Sequence, residues 1–118
     1  MLNKVCVLTV RVKNLQESVG FYTNVLGFEV SKYYGDKIVS LKHDEIPVVL
    51  EEDEEAYQEP KQNVLLGVLS KDLDKDIADF KSKGVKILFD EPRPCPPGRY
   101  TIIEDPVGNQ IEIVEFSE

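Results

Sequence analysis

The strongest constraint on how this chain can fold is that it repeats itself. Leu15, Val19 and Tyr22 recur at i, i+4 and i+7, one apolar stripe of a helix, and Leu73, Ile77 and Phe80 repeat that stripe 58 residues later. The flanks repeat too. Asn14 reads as an N-cap with Glu17 three residues on, and Asp72 is an N-cap at the same offset of 58. Gly27 and Gly84 stand where a left-handed glycine ends each helix, and each is followed by an apolar residue, Phe28 or Val85. The spacing predicts helices over 15–26 and 73–83. After each helix come strand-like runs: FEVSKYY, KIVSLK and IPVVLEE in the first half, VKILFD, RYTIIED and NQIEIVEF in the second. With the strands before the helices, each half reads β-α-β-β-β, and YYGDK and EDPVGNQ read as turns. One half exposes a sheet face that it cannot cover alone. The expectation is a single domain over 1–118, with one module over about 1–58 and another over about 59–118.

The net charge of −8 excludes a phosphate-binding surface of the nucleic-acid type and disfavours anionic membranes, while permitting a cationic ligand. Much of it comes from EEDEEAYQE (51–59), read as a solvated acidic loop. No apolar run approaches the roughly 20 residues that span a bilayer, and the N-terminus runs straight into a strand pattern, so a cytoplasmic protein without a membrane partner is expected. Cys6 and Cys95 form no zinc spacing and no expected disulfide. Cys6, in an apolar strand, is expected in the core, and Cys95, in PRPCPPG, in a partly exposed loop. The sole histidine, His43, falls at a turn in SLKHDEIP and reads as a surface residue.

The stretches VKNLQESVGFYTNVLGFEV and EDPVGNQIEIVEF resemble signatures of the vicinal oxygen chelate superfamily, which includes glyoxalase I, bleomycin-resistance proteins, fosfomycin-resistance transferases and extradiol dioxygenases. The resemblance implies an α+β fold, in which two tandem βαβββ modules form a half-open barrel around a cleft. It also implies four metal-ligand positions in metal-dependent members. Carried over residue by residue, these are Val7, Val49, Leu65 and Glu112. Three of the four side chains have no lone pair to give, so no metal and no cofactor are expected. A two-residue slip keeps the strand face and offers Glu51, making Glu51 and Glu112 the fallback metal candidates.

Alternation places Glu112 on the strand face opposite Ile111 and Ile113. The resemblance turns that face toward the cleft, where the carboxylate contacts a ligand or takes a structural partner such as Arg11 or Arg99. Arg99 and Tyr100 follow the proline-rich loop. Arg99 either binds an anionic group or pairs with a carboxylate such as Glu104, and Phe21 and Tyr22 read as helix-to-sheet packing. The candidate ligand-binding set is therefore Glu112, Arg99, Tyr100, Val7, Val49 and Leu65, and no catalytic set is visible. Three functions remain open: a metal-free binder of a small molecule working as a homodimer, a lyase or dioxygenase with an atypical metal or with Glu112 as general base, and a regulatory domain without a small ligand.

Overall fold

The computed structural model describes residues 2–53, 62–104, 106 and 108–117; residues 54–59 of the acidic run lie outside the described residues. The chain divides into two compact units, Val7–Leu65 and Leu66–Glu118 together with Met1–Cys6.

In the amino-terminal unit, β1 (Val5–Val12) enters from the other unit at Val7, and a six-residue helix α1 (Leu15–Gly20) follows. Strands β2 (Val30–Tyr34), β3 (Ile38–Leu41) and β4 (Val48–Glu52) complete it. The sheet order is β2-β3-β4-β1, with β1 and β4 parallel and the other pairs antiparallel. Leu15, Val19, Val12, Val39, Leu41 and Leu50 form the buried core, with Tyr22 and Phe28 packed against it.

The other unit repeats the plan. Strand β5 (Val64–Leu69) leads to helix α2 (Leu73–Ser82), then β6 (Lys86–Ile87), β7 (Arg93–Cys95), β8 (Gly98–Glu104) and β9 (Gln110–Phe116). Strand β5 pairs with β9 in parallel, β9 with β8 antiparallel, and both short strands pair with β8. Leu73, Ile77, Phe80 and Ile113 are its core. Strand β7 was not expected: the proline-rich loop folds back on β8 as a hairpin. Gly98 lets the start of β8 lie close against β9, because a Cβ there would overlap the Glu115 carbonyl oxygen.

The caps form as expected. Asn14 accepts from the Glu17 N–H at 2.9 Å and Asp72 from the Lys75 N–H at 3.2 Å. Helix α2 ends in a Schellman motif, with Val85 N–H donating to Phe80 and Gly84 N–H to Lys81, and Gly84 at φ 73°. The first helix departs from this pattern. Gly27 lies thirteen positions after Asn14, whereas Gly84 lies twelve positions after Asp72. The extra residue is taken up by a π-helical segment, Phe21–Val25, and Phe28 N–H donates one residue further back, to Tyr22. That widening separates the aromatic pair. Tyr22 packs on the core against Phe28, while Phe21 stands 51% exposed, contrary to the packing expected of both.

One contact in each unit joins the last strand to the helix start. Glu52 Oε1 accepts from the Leu15 N–H at 3.0 Å, and Glu115 Oε2 accepts from the Leu73 N–H at 2.8 Å. Each glutamate satisfies an orphan donor of a helix N-terminus. We expect Glu115→Ala to cost about 1–2 kcal/mol in denaturant unfolding. The sign of its pH dependence follows from the Arg99 guanidinium, and next the Leu73 N–H, which hold the Glu115 carboxyl below its ordinary 4.5. A depressed carboxyl stabilises the fold above its unfolded value and loses that contribution as pH falls through the folded one. Glu115→Gln should therefore flatten the acid side of the melting-temperature profile, and an unchanged profile would contradict the assignment.

Candidate functional site

Strand register divides each unit's sheet into a face covered by that unit's helix and a face that this helix leaves uncovered. In the carboxy-terminal unit, Ile111 and Ile113 pack toward α2. Glu112 therefore faces the other way, as expected. It sits across from Gly67 on β5 and Ile102 on β8. Tyr100, paired with Val114, shares that face. The Tyr100 ring meets Phe89 edge-on at 6.0 Å, and the Arg93 guanidinium lies 3.5 Å from the Phe89 centroid. Thr101, fully buried on the opposite face, donates its hydroxyl hydrogen to the Phe89 carbonyl, which fixes the loop carrying that ring. Cys6 lies near Glu112. Burial, and then the Glu112 charge among the groups around it, pushes its thiol up, and Cys6 is half-buried rather than a fully buried core residue.

Arg99 is not on this face. It is opposite Glu115, on the helix side, and its Nε donates to Glu115 at 2.6 Å while an Nη donates to Asp74 at 3.1 Å. The expected partners, Glu104 and Glu112, lie on the opposite face, and Glu104 pairs with Lys86 at 3.4 Å. Arg99 is committed to the start of α2 and leaves the ligand-facing set.

In the amino-terminal unit, Val39, Leu41 and Leu50 pack on the helix side. The uncovered face carries two rows across β1, β4 and β3: Thr9, Val49, Ser40, and then Arg11, Glu51, Ile38. Val49 and Glu112 are counterparts, each three residues before the glutamate that holds its helix. This agrees with the register used to place Val49. Val7 is half-buried on β1 and Leu65 is fully buried on β5. Arg11 stands 4.0 Å from Asp53. Burial pushes the Glu51 carboxyl up, Arg11 opposes this, and Asp53 adds to it.

The donor set does not fit the metal centre of the metal-dependent relatives. Val7, Val49 and Leu65 present hydrocarbon, leaving Glu112 as the one donor. Among the described residues, no three His, Cys, Asp or Glu side chains gather closely enough to hold a metal ion. His43 is exposed, in an open groove of about 470 Å³ beside Leu26, Phe28, Glu29 and Lys42. No described helix is long and apolar enough to cross a membrane.

Comparison with solved structures gives the same fold. A variant of Streptomyces coelicolor methylmalonyl-CoA epimerase, in complex with 2-nitronate-propionyl-CoA, superposes with a TM-score of 0.83 at 24% identity, over 99% of this chain and 96% of that one. A methylmalonyl-CoA epimerase in complex with methylmalonyl-CoA and NH4+ gives the same values. A glyoxalase/bleomycin resistance protein/dioxygenase superfamily member from Vibrio splendidus 12B01 gives a TM-score of 0.66 at 19% identity, over 92% and 96%. No curated protein matches the sequence. The family model of the glyoxalase/bleomycin resistance protein/dioxygenase superfamily matches residues 4–113, and the chain belongs to that superfamily.

Proposed function

We propose that this chain is a small-molecule-binding member of its superfamily that works without a resident transition metal, as a homodimer. The observation that carries the reading is the donor chemistry at the four family positions: hydrocarbon at Val7, Val49 and Leu65, and a carboxylate at Glu112 alone. The Lewis-acid step of metal-dependent relatives needs about three protein ligands, which these residues do not supply. Glu112 has a different use. It lies across from Ile102 and Gly67 on the face away from the helix, a position from which a carboxylate serves a hydrogen-bond donor or a cation. The net charge of −8 agrees in sign. The epimerase complexes hold CoA esters, but at 24% identity the likeness carries the fold and not the substrate.

Elemental analysis of untagged protein from its own host should find far less than one equivalent of zinc, nickel, manganese or iron. One equivalent, with an activity abolished by a chelator, would overturn the reading. Native mass spectrometry of the same material is the route to a retained ligand. Once a ligand is in hand, Glu112→Gln should change its affinity by roughly 1–3 kcal/mol if the contact is charge-assisted.

The dimer is supported by Phe21, Val25 and Leu26, which stand exposed at the end of the first helix, and by exposed Phe116 in the other unit. Light scattering at micromolar concentration should give the mass of two chains, and monomer mass alone would exclude it.

A further inference from the structure

Ser40 lies between Val39 and Leu41, which are buried at 0% and 1% exposure on the helix side, so its side chain points to the uncovered face of the amino-terminal unit. It is itself only 9% exposed. Its hydroxyl makes no hydrogen bond with any described residue, although every fully enclosed side-chain polar atom among them has a partner. The hydroxyl must therefore sit at the surface of that face, presenting an unpaired donor and acceptor from an otherwise buried residue.

Glu51 is its diagonal neighbour, one strand across and two residues along. Such pairs stand about 7–8 Å apart at Cα, a gap that a serine and a glutamate side chain close to the span of one shared hydrogen-bonding group. The charges acting on Glu51 are those of Arg11, directly opposite on β1, and Asp53. Arg11 also stands 4.0 Å from Asp53. Lys32, opposite Ser40 on β2, places its ammonium 4.9 Å from the Tyr34 ring centroid. Glu51 is half-buried, so a cation arriving there gains more than it would in water. Val49 beside Ser40, and Ile38 beside Glu51, make the surrounding floor aliphatic. One carboxylate and one hydroxyl are too few donors for a bare metal cation, which needs six or more oxygens or a set of imidazoles.

We infer that this face carries a subsite for a small organic ammonium ion, whose N–H groups donate to the Ser40 hydroxyl oxygen and the Glu51 carboxylate while its alkyl body lies on Val49 and Ile38. The inference rests on the small-molecule-binding reading above and names the chemical class that one of its faces takes. A primary ammonium supplies three donors, enough for both oxygens with one left for water.

The test is a titration of the full-length chain, followed by amide chemical shifts at constant ionic strength, with n-butylammonium chloride, sodium butyrate and n-butanol as separate probes. Butylammonium should shift amides of β3 and β4, and butyrate and butanol should do so far more weakly. Glu51→Gln should weaken butylammonium binding about tenfold or more, and Ser40→Ala, which removes one oxygen without adding volume, by severalfold. Thermal melts of both variants establish that they are folded. Butylammonium affinity unchanged in both variants, or shifts mapping away from β3 and β4, overturns the subsite. Butyrate or butanol binding there in place of butylammonium overturns the ammonium class while leaving the small-molecule reading standing. Failure of all three probes, with one equivalent of transition metal in the native protein, removes both.

Discussion

In each unit a carboxylate from the end of the last strand accepts the N–H of the first helical residue: Glu52 on Leu15, Glu115 on Leu73. Most of the architecture depends on that clasp. The first and last strands of each unit run parallel, so the chain must leave the first, pass through a helix and return. The clasp fixes where the helix starts relative to the returning strand. It thereby decides which face of the sheet receives Leu15 and Val19, or Leu73, Ile77 and Phe80. Once one face is taken by the helix, the other is left for polar and mixed side chains. In the carboxy-terminal unit the clasp is reinforced, because Arg99 binds both Glu115 and Asp74 of the helix it secures. An arginine that sequence position made available to a ligand is thus spent on holding a strand to a helix.

How much of this was legible depended on whether the information was periodic. The helical stripes, the Asn14 and Asp72 caps and the C-terminal glycines follow rules that act within one turn, and all of them formed. The π-helical segment was legible in principle: the cap-to-glycine distance is one residue longer in the first half, and a helix held at both ends must bulge to absorb it. The clasp glutamates were missed because their partners lie 37 and 42 residues away, beyond any local pattern. Their signal was the shared offset of 63 between Glu52 and Glu115, visible only once the last strands are aligned with each other rather than with the helices. The hairpin strand β7 was missed because its three residues, Arg93–Cys95, include a proline, and their pairing with β8 carries no alternation of their own.

For the site, parity alone put Glu112 on the uncovered face, and parity held. It also bears on Arg99 and Tyr100. As neighbours on one strand they must face opposite ways, so at most one could share a face with Glu112. The β8–β9 register selects Tyr100. Of the two roles open to Arg99, an anionic ligand or a carboxylate partner, the structure shows the second, with Glu115 in place of Glu104.

Comparing the two repeats position by position separates the residues that maintain the fold from those that distinguish the two faces. On the helix side the counterparts keep their character: Leu15 and Leu73, Val19 and Ile77, Tyr22 and Phe80, Leu50 and Ile113, Glu52 and Glu115. On the uncovered faces they trade it. Val49 stands where the other unit has Glu112, Glu51 where it has Val114, Ser40 where it has Ile102, and Arg11 where it has Leu69. Packing physics treats both units alike, since each needs one apolar face under one helix. It gives no reason for a carboxylate and a valine to exchange places between otherwise equivalent strands. A structural requirement at Glu112 would also have to explain why Val49 meets the same backbone setting without charge. The helix sides are alike because packing requires it, and the opposite faces differ because packing leaves their side chains free to differ.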